Sequence, residues 1–167
     1  MHLVGCVICR YDEASDQQMC VEHVMATGAS QPNVLIVEDQ EGPRKALCMI
    51  LSSFYRIYMA ETASAALKII GESHMDLVIM DVGLPDISGM ELLRRVRASG
   101  QAVKVIVVTG RGSLESAEEA MRLGAEAYLL KPFNLLEVLD LVQQGVKTSA
   151  AELAMRLPMI TRTVSPG

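Results

Sequence analysis

The sequence lacks an excess of basic residues, a long apolar run and an export signal. It carries 15 Lys and Arg against 20 Asp and Glu, a net charge of −5, whereas binding to nucleic acid needs a basic face. Its longest uncharged apolar run, Ala46–Leu51, is far shorter than the roughly 20 residues of a membrane span. No basic segment leads into an apolar stretch at the amino terminus, so we expect a cytoplasmic protein whose cysteines stay reduced.

The hydrophobic residues, half of the total, exclude intrinsic disorder as the dominant state. Continuous apolar runs, typical of parallel strands buried on both faces, alternate with segments whose apolar residues recur at helical spacing. The pattern predicts an α/β fold with a five-stranded, doubly wound parallel sheet and helices on both faces. The five predicted strands are Val34–Val37, Ile57–Ala60, Leu77–Met80, Val103–Val108 and Ala127–Leu130.

Residues typical of helix ends lie between the predicted strands. Pro43 suits a first helical turn, and Ser113 and Asn134 suit the N-cap position. Gly71 and Gly124 suit helix ends. These positions therefore agree with one helix after each strand.

Polar residues follow the ends of the predicted strands. Four of the five strands end in Glu38-Asp39, Asp81, Thr109 and Lys131-Pro132. Ligands of open parallel sheets bind beyond the carboxyl ends of the strands, so we expect these side chains to lie together at one rim. The second predicted strand ends in Glu61 alone, which favours an edge position away from the site.

Carboxylates gathered at one rim repel one another, by about 4 kcal/mol for two charges about 4 Å apart at an effective dielectric of about 20. Mg²⁺ is the natural compensation, because it prefers oxygen ligands and accepts phosphate oxygens. A lysine and a hydroxyl beside the ion complete a set that can hold a phosphoryl group, with a carboxylate as the nucleophile. A lone acidic residue at a strand end is usually a helix cap or a solvated loop residue, but several polar residues at one rim favour a phosphoryl-transfer site.

The chain resembles the receiver domain of two-component response regulators over about residues 32–147, in four segments. They are Val-Leu-Ile-Val-Glu-Asp at 34–39, Asp-Leu-Val-Ile-Met-Asp-Val-Gly-Leu-Pro-Asp-Ile-Ser-Gly at 76–89, Val-Ile-Val-Val-Thr-Gly at 105–110 and Leu-Lys-Pro-Phe at 130–133. The resemblance implies a flavodoxin-like fold with strand order 2-1-3-4-5. It also implies a cis peptide bond between Lys131 and Pro132.

The resemblance implies a role for each residue at the rim. Asp81 matches the phosphoacceptor, which would take a phosphoryl group from a sensor histidine kinase or a phosphotransfer protein in a phosphorelay. Glu38 and Asp39 match the acidic pair that holds Mg²⁺, Asp39 directly and Glu38 through water. The backbone carbonyl of Gly83 matches a further ligand of the metal. Lys131 matches the cation that pairs with the phosphoryl group.

Thr109 and Tyr128 match the switch residues of the family. Thr109 would move toward the phosphoryl group, Tyr128 would turn inward, and the face formed by helix 4, strand 5 and helix 5 would change shape. That face would bind a downstream protein target or a second copy of the chain. The alternative for Tyr128 is a strand aromatic without a switch role. Gly83 and Arg111 occupy positions that shape solvent access to the phosphoryl group, so its lifetime stays open.

The sequence thus predicts a phosphorylation-activated switch that catalyses only its own phosphorylation and dephosphorylation. One alternative is a scaffold whose terminal extensions bind the partner, and another is the receiver fragment of a transcriptional activator. A third is a Mg²⁺ phosphatase, which is disfavoured because such enzymes place a second aspartate where this chain has Gly83.

The amino-terminal region differs from the rest in its cysteine content. Cys6, Cys9, Cys20 and His23 form a C-x2-C…C-x2-H arrangement that suits a tetrahedral Zn²⁺ site. The alternative is an unliganded extension, since the Met at position 25 would also suit a chain start. We therefore predict an extension at 1–32 with a candidate zinc module, a receiver domain at 33–147 and a tail at 148–167.

Overall fold

The apolar runs form the central sheet of the computed structural model, which describes residues 8–12, 17–21 and 31–147. The strands in these residues are β1 (Ile8–Asp12), β2 (Gln17–Val21), β3 (Asn33–Val37), β4 (Arg56–Ala60), β5 (Leu77–Asp81), β6 (Lys104–Thr109) and β7 (Ala127–Leu130). The helices are α1 (Glu41–Leu51), α2 (Ala63–Glu72), α3 (Gly89–Ala98), α4 (Leu114–Arg122) and α5 (Leu135–Lys147). Each strand from β3 onward is followed by one helix, as the periodicity predicts.

The sheet is ordered β1-β2-β4-β3-β5-β6-β7. The strands β3 to β7 run parallel to one another, and counted among themselves they follow the order 2-1-3-4-5. The predicted doubly wound, flavodoxin-like fold is therefore confirmed. Because β3 lies between β4 and β5, the chain reverses its winding direction there, and a crevice opens at the carboxyl ends of β3 and β5.

The hairpin of β1 and β2 is a feature that the sequence analysis did not predict. β2 pairs antiparallel with β4 through Gln18↔Met59 and Met19↔Tyr58, so β4 is not the edge strand that we expected. Edge pairing depends on a distant segment, which the pattern of β4 itself cannot reveal.

The zinc hypothesis falls only partly on the described residues. The hairpin places Cys9 opposite Cys20 in its backbone register. Cys6 and His23 lie outside the described residues, as does the tail at 148–167. The zinc module and the domain boundaries therefore stay predictions.

The core lies on both faces of the parallel sheet, because successive strand residues point to opposite sides. On one face, Leu35 and Val37 of β3 pack in a cluster with α2, α3 and α4. On the other face, Val34 and Ile36 pack with α1 and α5, and Cys48 is part of that cluster. The four β3 residues are at most 1% exposed, which explains their continuous apolar sequence.

Most of the predicted helix ends are confirmed. Ser113 caps α4, with its side chain accepting from the N–H of Ser116, and Asn134 Oδ1 accepts from the N–H of Leu136 at 2.9 Å. Gly124 follows α4 with a φ of +83°, a conformation that favours glycine.

Gly71 lies at the end of α2 as predicted, one residue before the last helical residue, Glu72. The N–H of Ser73 donates to the carbonyl of Ile69 at 2.9 Å. The helical ladder thus continues past the glycine, which lies inside the last turn rather than after it.

Asp86, in the loop after β5, holds the amino terminus of α2. Its carboxylate accepts hydrogen bonds from the N–H of Ala63 at 2.9 Å and the N–H of Ser64 at 2.8 Å, and from Ser64 Oγ at 2.7 Å. Thr62 Oγ1 accepts from the N–H of Ala65 at 3.1 Å. The first turn of α2 therefore has partners for the N–H groups that a helix leaves unpaired.

We expect Asp86→Ala to lower the free energy of unfolding by about 1 kcal/mol at pH 7, as loss of a helix cap does. Desolvation raises the pKa of Asp86, but the hydrogen bonds from Ser64 and from backbone N–H groups outweigh it and hold the pKa well below its usual range. A carboxyl group whose pKa is depressed in the folded state stabilises the protein at pH values above its pKa in the unfolded chain, about 3.9. This stabilisation is lost as the pH falls below that pKa.

Urea unfolding of wild type and Asp86→Ala at pH 7, 5 and 3 measures this effect. The difference in free energy of unfolding between the two proteins should be smaller at pH 3. Asp140→Ala is the matched control, because Asp140 is an exposed residue of α5. Equal stability of the two variants at pH 7 would contradict the capping role.

Candidate functional site

Three acidic residues meet at the carboxyl ends of β3 and β5. Glu38 and Asp39 follow β3, Asp81 ends β5, and one carboxylate oxygen of each lies within 4.8 Å of the others. Glu38 and Asp81 are 2% and 7% exposed, whereas Asp39 is exposed. Adjacent parallel strands end at the same edge of the sheet, so their order alone brings these residues together.

Lys131, directly after β7, connects the two buried carboxylates. Its Nζ donates to Glu38 Oε2 at 2.5 Å and to Asp81 Oδ2 at 2.8 Å. The Lys131–Pro132 peptide bond is cis, as the family resemblance implies. The structure thus brings four of the predicted rim residues into one cluster.

Backbone N–H groups hold the second oxygen of each buried carboxylate. The N–H of Gly83 donates to Asp81 Oδ1 at 3.1 Å, and the N–H of Gln40 donates to Glu38 Oε1 at 3.2 Å. Each of the two carboxylates therefore accepts from Lys131 through one oxygen and from a backbone amide through the other.

The cluster has too little positive charge for its acidic groups. Burial raises the pKa of Glu38, and the hydrogen bond and charge of Lys131 offset only part of this rise. For Lys131, burial lowers the pKa, but its hydrogen bonds to Asp81 and Glu38 and their charges raise it to a larger extent. One ammonium faces three carboxylates, so the arrangement favours an additional cation.

Gly89 allows the loop after Asp81 to turn back tightly. A Cβ atom at this position would lie 2.1 Å from the carbonyl oxygen of Asp81. The N–H of Gly89 donates to the carbonyl of Val82 at 2.9 Å. Because only glycine permits this approach, it places the start of α3 against the backbone of Asp81.

Thr109 and Tyr128 are both buried, at 3% and 6% exposure. Thr109 Oγ1 donates to the carbonyl of Arg111 and accepts from its N–H, each at 3.1 Å. The hydroxyl of Tyr128 lies 2.8 Å from Ser116 Oγ in the first turn of α4. The threonine therefore faces its own loop, and the tyrosine is attached to α4.

Arg44 is a buried residue near the acidic cluster that the sequence analysis missed. Its guanidinium donates to the backbone carbonyls of Glu38 and Asp39 and to the carboxylate of Glu61. Its sequence signal is weak, since it is one charged residue in the first turn of a helix. Burial and contacts with two strand ends become visible only in the fold.

No helix within the described residues is long and apolar enough to cross a membrane. This finding agrees with the absence of a long apolar run from those parts of the sequence.

The comparisons with known proteins all point to one family. A family model described as the response regulator receiver domain matches residues 34–143. The chain is 40% identical over 105 residues to the transcriptional regulatory protein MalR of Bacillus subtilis (strain 168), covering 60% of this chain and 44% of MalR. It is 33% identical over 112 residues to sporulation initiation phosphotransferase F of the same organism, covering 66% of this chain and 90% of that protein.

A solved structure agrees with these relatives. The CheY-like response regulator receiver domain protein from Methanospirillum hungatei JF-1 matches with a TM-score of 0.67 and 31% identity, over 75% of this chain and 98% of that one. The chain spans less than half of MalR, at 44%, so the similarity covers a receiver domain and not the remainder of that regulator.

We expect Lys131→Met to lower the free energy of unfolding at pH 7 by about 3 kcal/mol, because two buried carboxylates lose their cation. Burial raises the pKa of Glu38, and Lys131 opposes this rise. Loss of the ammonium should therefore raise the pKa of Glu38 further, so the variant should gain stability relative to wild type as pH falls from 7 to 5. Urea unfolding at the two pH values measures both effects.

Lys45→Met is the control, since Lys45 forms an exposed ion pair with Glu41 one turn away. We expect no measurable change there. If both variants lost the same stability, or if Lys131→Met lost none, the ion-pair account of the cluster would be wrong.

Proposed function

This chain belongs to the response regulator receiver domain family, and on that premise we propose that Asp81 accepts a phosphoryl group from a histidine kinase or a phosphotransfer protein. The main support is the cluster in which Lys131 pairs with Glu38 and Asp81 at the carboxyl edge of the sheet. A carboxylate oxygen of Asp81 attacks the phosphorus atom, and the bond from phosphorus to the donor's histidine nitrogen breaks. The other nitrogen of the donor's imidazole takes a proton from solvent, so the ring leaves as neutral imidazole while an acyl phosphate forms on Asp81.

Lys131 has two roles in this proposal. Before transfer, its ammonium offsets the charges of Glu38 and Asp81. During transfer, it can leave Asp81 and pair with an oxygen of the incoming phosphoryl group, where negative charge develops. The backbone N–H of Gly83 keeps the Asp81 side chain oriented throughout.

The donor set fits Mg²⁺, because the carboxylates of Glu38, Asp39 and Asp81 supply oxygen ligands close together. We propose that these residues hold the ion together with the backbone carbonyl of Gly83. When bound, the ion supplies positive charge for the phosphoryl oxygens. Asp39 is the exposed member of the set, so it can bind an ion without first losing a buried partner.

We propose Thr109 and Tyr128 as the switch. The hydroxyl of Thr109 would exchange its contacts with Arg111 for a phosphoryl oxygen, and Tyr128 would exchange its contact with Ser116 for an inward position. Since Ser116 lies in the first turn of α4, this change would release the amino terminus of that helix. Moving such an equilibrium from 1:99 to 99:1 takes about 5.5 kcal/mol of differential stabilisation.

The face formed by α4, β7 and α5 is the proposed docking surface for a downstream protein or a second copy of the chain. Each element carries one exposed leucine, namely Leu114, Leu130 and Leu136, at 68%, 51% and 66% exposure. A contiguous exposed apolar surface is typical of interaction sites. A cytoplasmic location is part of the same proposal.

Asp81→Asn should abolish labelling by acetyl phosphate, because the amide lacks the nucleophilic carboxylate. Intact-mass spectrometry before and after incubation with acetyl phosphate and Mg²⁺ measures the modification. Asp140→Asn is the control on an exposed position of α5 and should label as wild type does. Undiminished labelling of Asp81→Asn would reject the assignment.

Asp39→Asn should lose most of the stabilisation by Mg²⁺. A ligand that binds only the folded state raises its stability in proportion to the logarithm of one plus concentration over Kd, so a weaker site gives a smaller rise. Thermal unfolding across a series of MgCl₂ concentrations measures this response. NaCl at matched ionic strength is the control, and equal Mg²⁺ responses of wild type and variant would contradict the role of Asp39.

A further inference from the structure

The position of Arg44 is not explained by the stability of its own helix. It is the fourth residue of α1, and a positive charge in the first turn opposes the helix dipole. Its side chain is only 7% exposed, so the guanidinium also loses most of its hydration. Contacts outside the helix must compensate for both costs.

Those contacts lie at the ends of two neighbouring strands. Arg44 Nη1 donates to the carbonyl oxygen of Glu38 at 2.7 Å and to that of Asp39 at 3.1 Å. Arg44 Nη2 donates to Oε1 of Glu61, the residue directly after β4, at 2.6 Å. The planar guanidinium makes these bonds in one rigid arrangement.

The two carbonyls that Arg44 binds lie just beyond the sheet. The pairing of β3 with both of its neighbours ends at Val37, and the N–H of Glu38 makes one more bond, to the carbonyl of Ala60 at 3.0 Å. The carbonyls of Glu38 and Asp39 lie beyond these bonds. Glu38 is 2% exposed, and a buried carbonyl needs a hydrogen-bond donor. Arg44 is a donor to both peptide groups.

Fixing these carbonyls fixes the direction of the two acidic side chains. A peptide plane sets the orientation of the Cα–Cβ bond next to it, so Arg44 limits where the carboxylates of Glu38 and Asp39 can point. Ligands held by outer hydrogen bonds need less rearrangement when a metal binds. Glu61 Oε1 accepts from Arg44 Nη2 and so also holds the guanidinium.

We propose that Arg44 is a positioning residue of the cation site: through the carbonyls of Glu38 and Asp39 it orients their carboxylates toward Asp81. The inference rests on the proposed function, because it takes the three carboxylates as the ligands of a divalent cation. Arg44 does not touch the cation, and it acts only through the backbone of the acidic pair.

The test is the binding of Mn²⁺ to the metal-free protein, measured from the electron paramagnetic resonance signal of the free ion. Mn²⁺ is a suitable probe because it prefers the same oxygen ligands as Mg²⁺. We expect Arg44→Met to raise the Kd by about tenfold, the lower end for loss of an outer-shell partner. We expect Glu61→Gln to change the Kd by less than about twofold, because both carbonyl bonds of Arg44 remain and the amide oxygen of Gln can still accept a hydrogen bond from Arg44 Nη2.

Two control variants separate positioning from charge and from general stability. Arg56→Met removes the same charge from an exposed position at the start of β4. Val142→Ala leaves a cavity at a fully buried position of α5 and lowers stability without touching the turn after β3. Both should keep the wild-type Kd below their unfolding temperatures.

The outcomes separate failure of the inference from failure of the proposed function. Wild-type protein that binds no Mn²⁺ would reject the cation site itself. Wild-type binding with an unchanged Kd in Arg44→Met, or a Kd raised equally in Val142→Ala, would overturn the positioning role. If Arg44→Met does not fold, Arg44→Lys replaces it: the ammonium cannot hold both carbonyls and Glu61 in one plane, so a wild-type Kd there would also overturn the role.

Discussion

The ion pairs of Lys131 with Glu38 and Asp81 are the interaction on which the rest of the site depends. Two carboxylates this deeply buried would repel each other strongly without a cation between them. Lys131 comes from the end of β7, whereas the carboxylates come from the ends of β3 and β5. One ammonium thus holds three strand ends together, and burial keeps the pKa of Glu38 raised in spite of it.

Contacts from the loop after β5 and from α1 hold the backbone around this cluster in place. Gly89 brings the loop after β5 against the backbone of Asp81, where a larger residue would collide with it. Asp86 in the same loop binds the first turn of α2. Arg44 binds the peptide groups that follow β3. The backbone next to the acidic residues is therefore held by these contacts. Preorganisation of this kind lowers the cost of binding a charged ligand.

The sequence analysis was most successful where one local pattern determines the outcome. The strand Val34–Val37 reads as a continuous apolar run because helices cover both of its faces. Ser113 and Asn134 predicted helix starts correctly, since an N-cap needs only its own helix. Gly71 predicted the end of α2 to within one residue, because glycine is tolerated inside a helix as well as after one. The pairing of β2 with β4 was missed because it joins segments about forty residues apart in the sequence.

The sequence by itself determined the parallel sheet, its helices and the polar residues that end the strands. Hydrophobic periodicity shows where each strand ends, and parallel strands have their carboxyl ends at one edge of the sheet, which places Glu38, Asp39, Asp81 and Lys131 at one rim. The tertiary structure alone decided which atoms meet there. Arg44 donates to two carbonyls, and the hydroxyl of Tyr128 contacts Ser116. Each buried carboxylate accepts from Lys131 with one oxygen and from a backbone amide with the other. Such contacts depend on burial and on the approach of distant segments, which residue spacing along the chain does not encode.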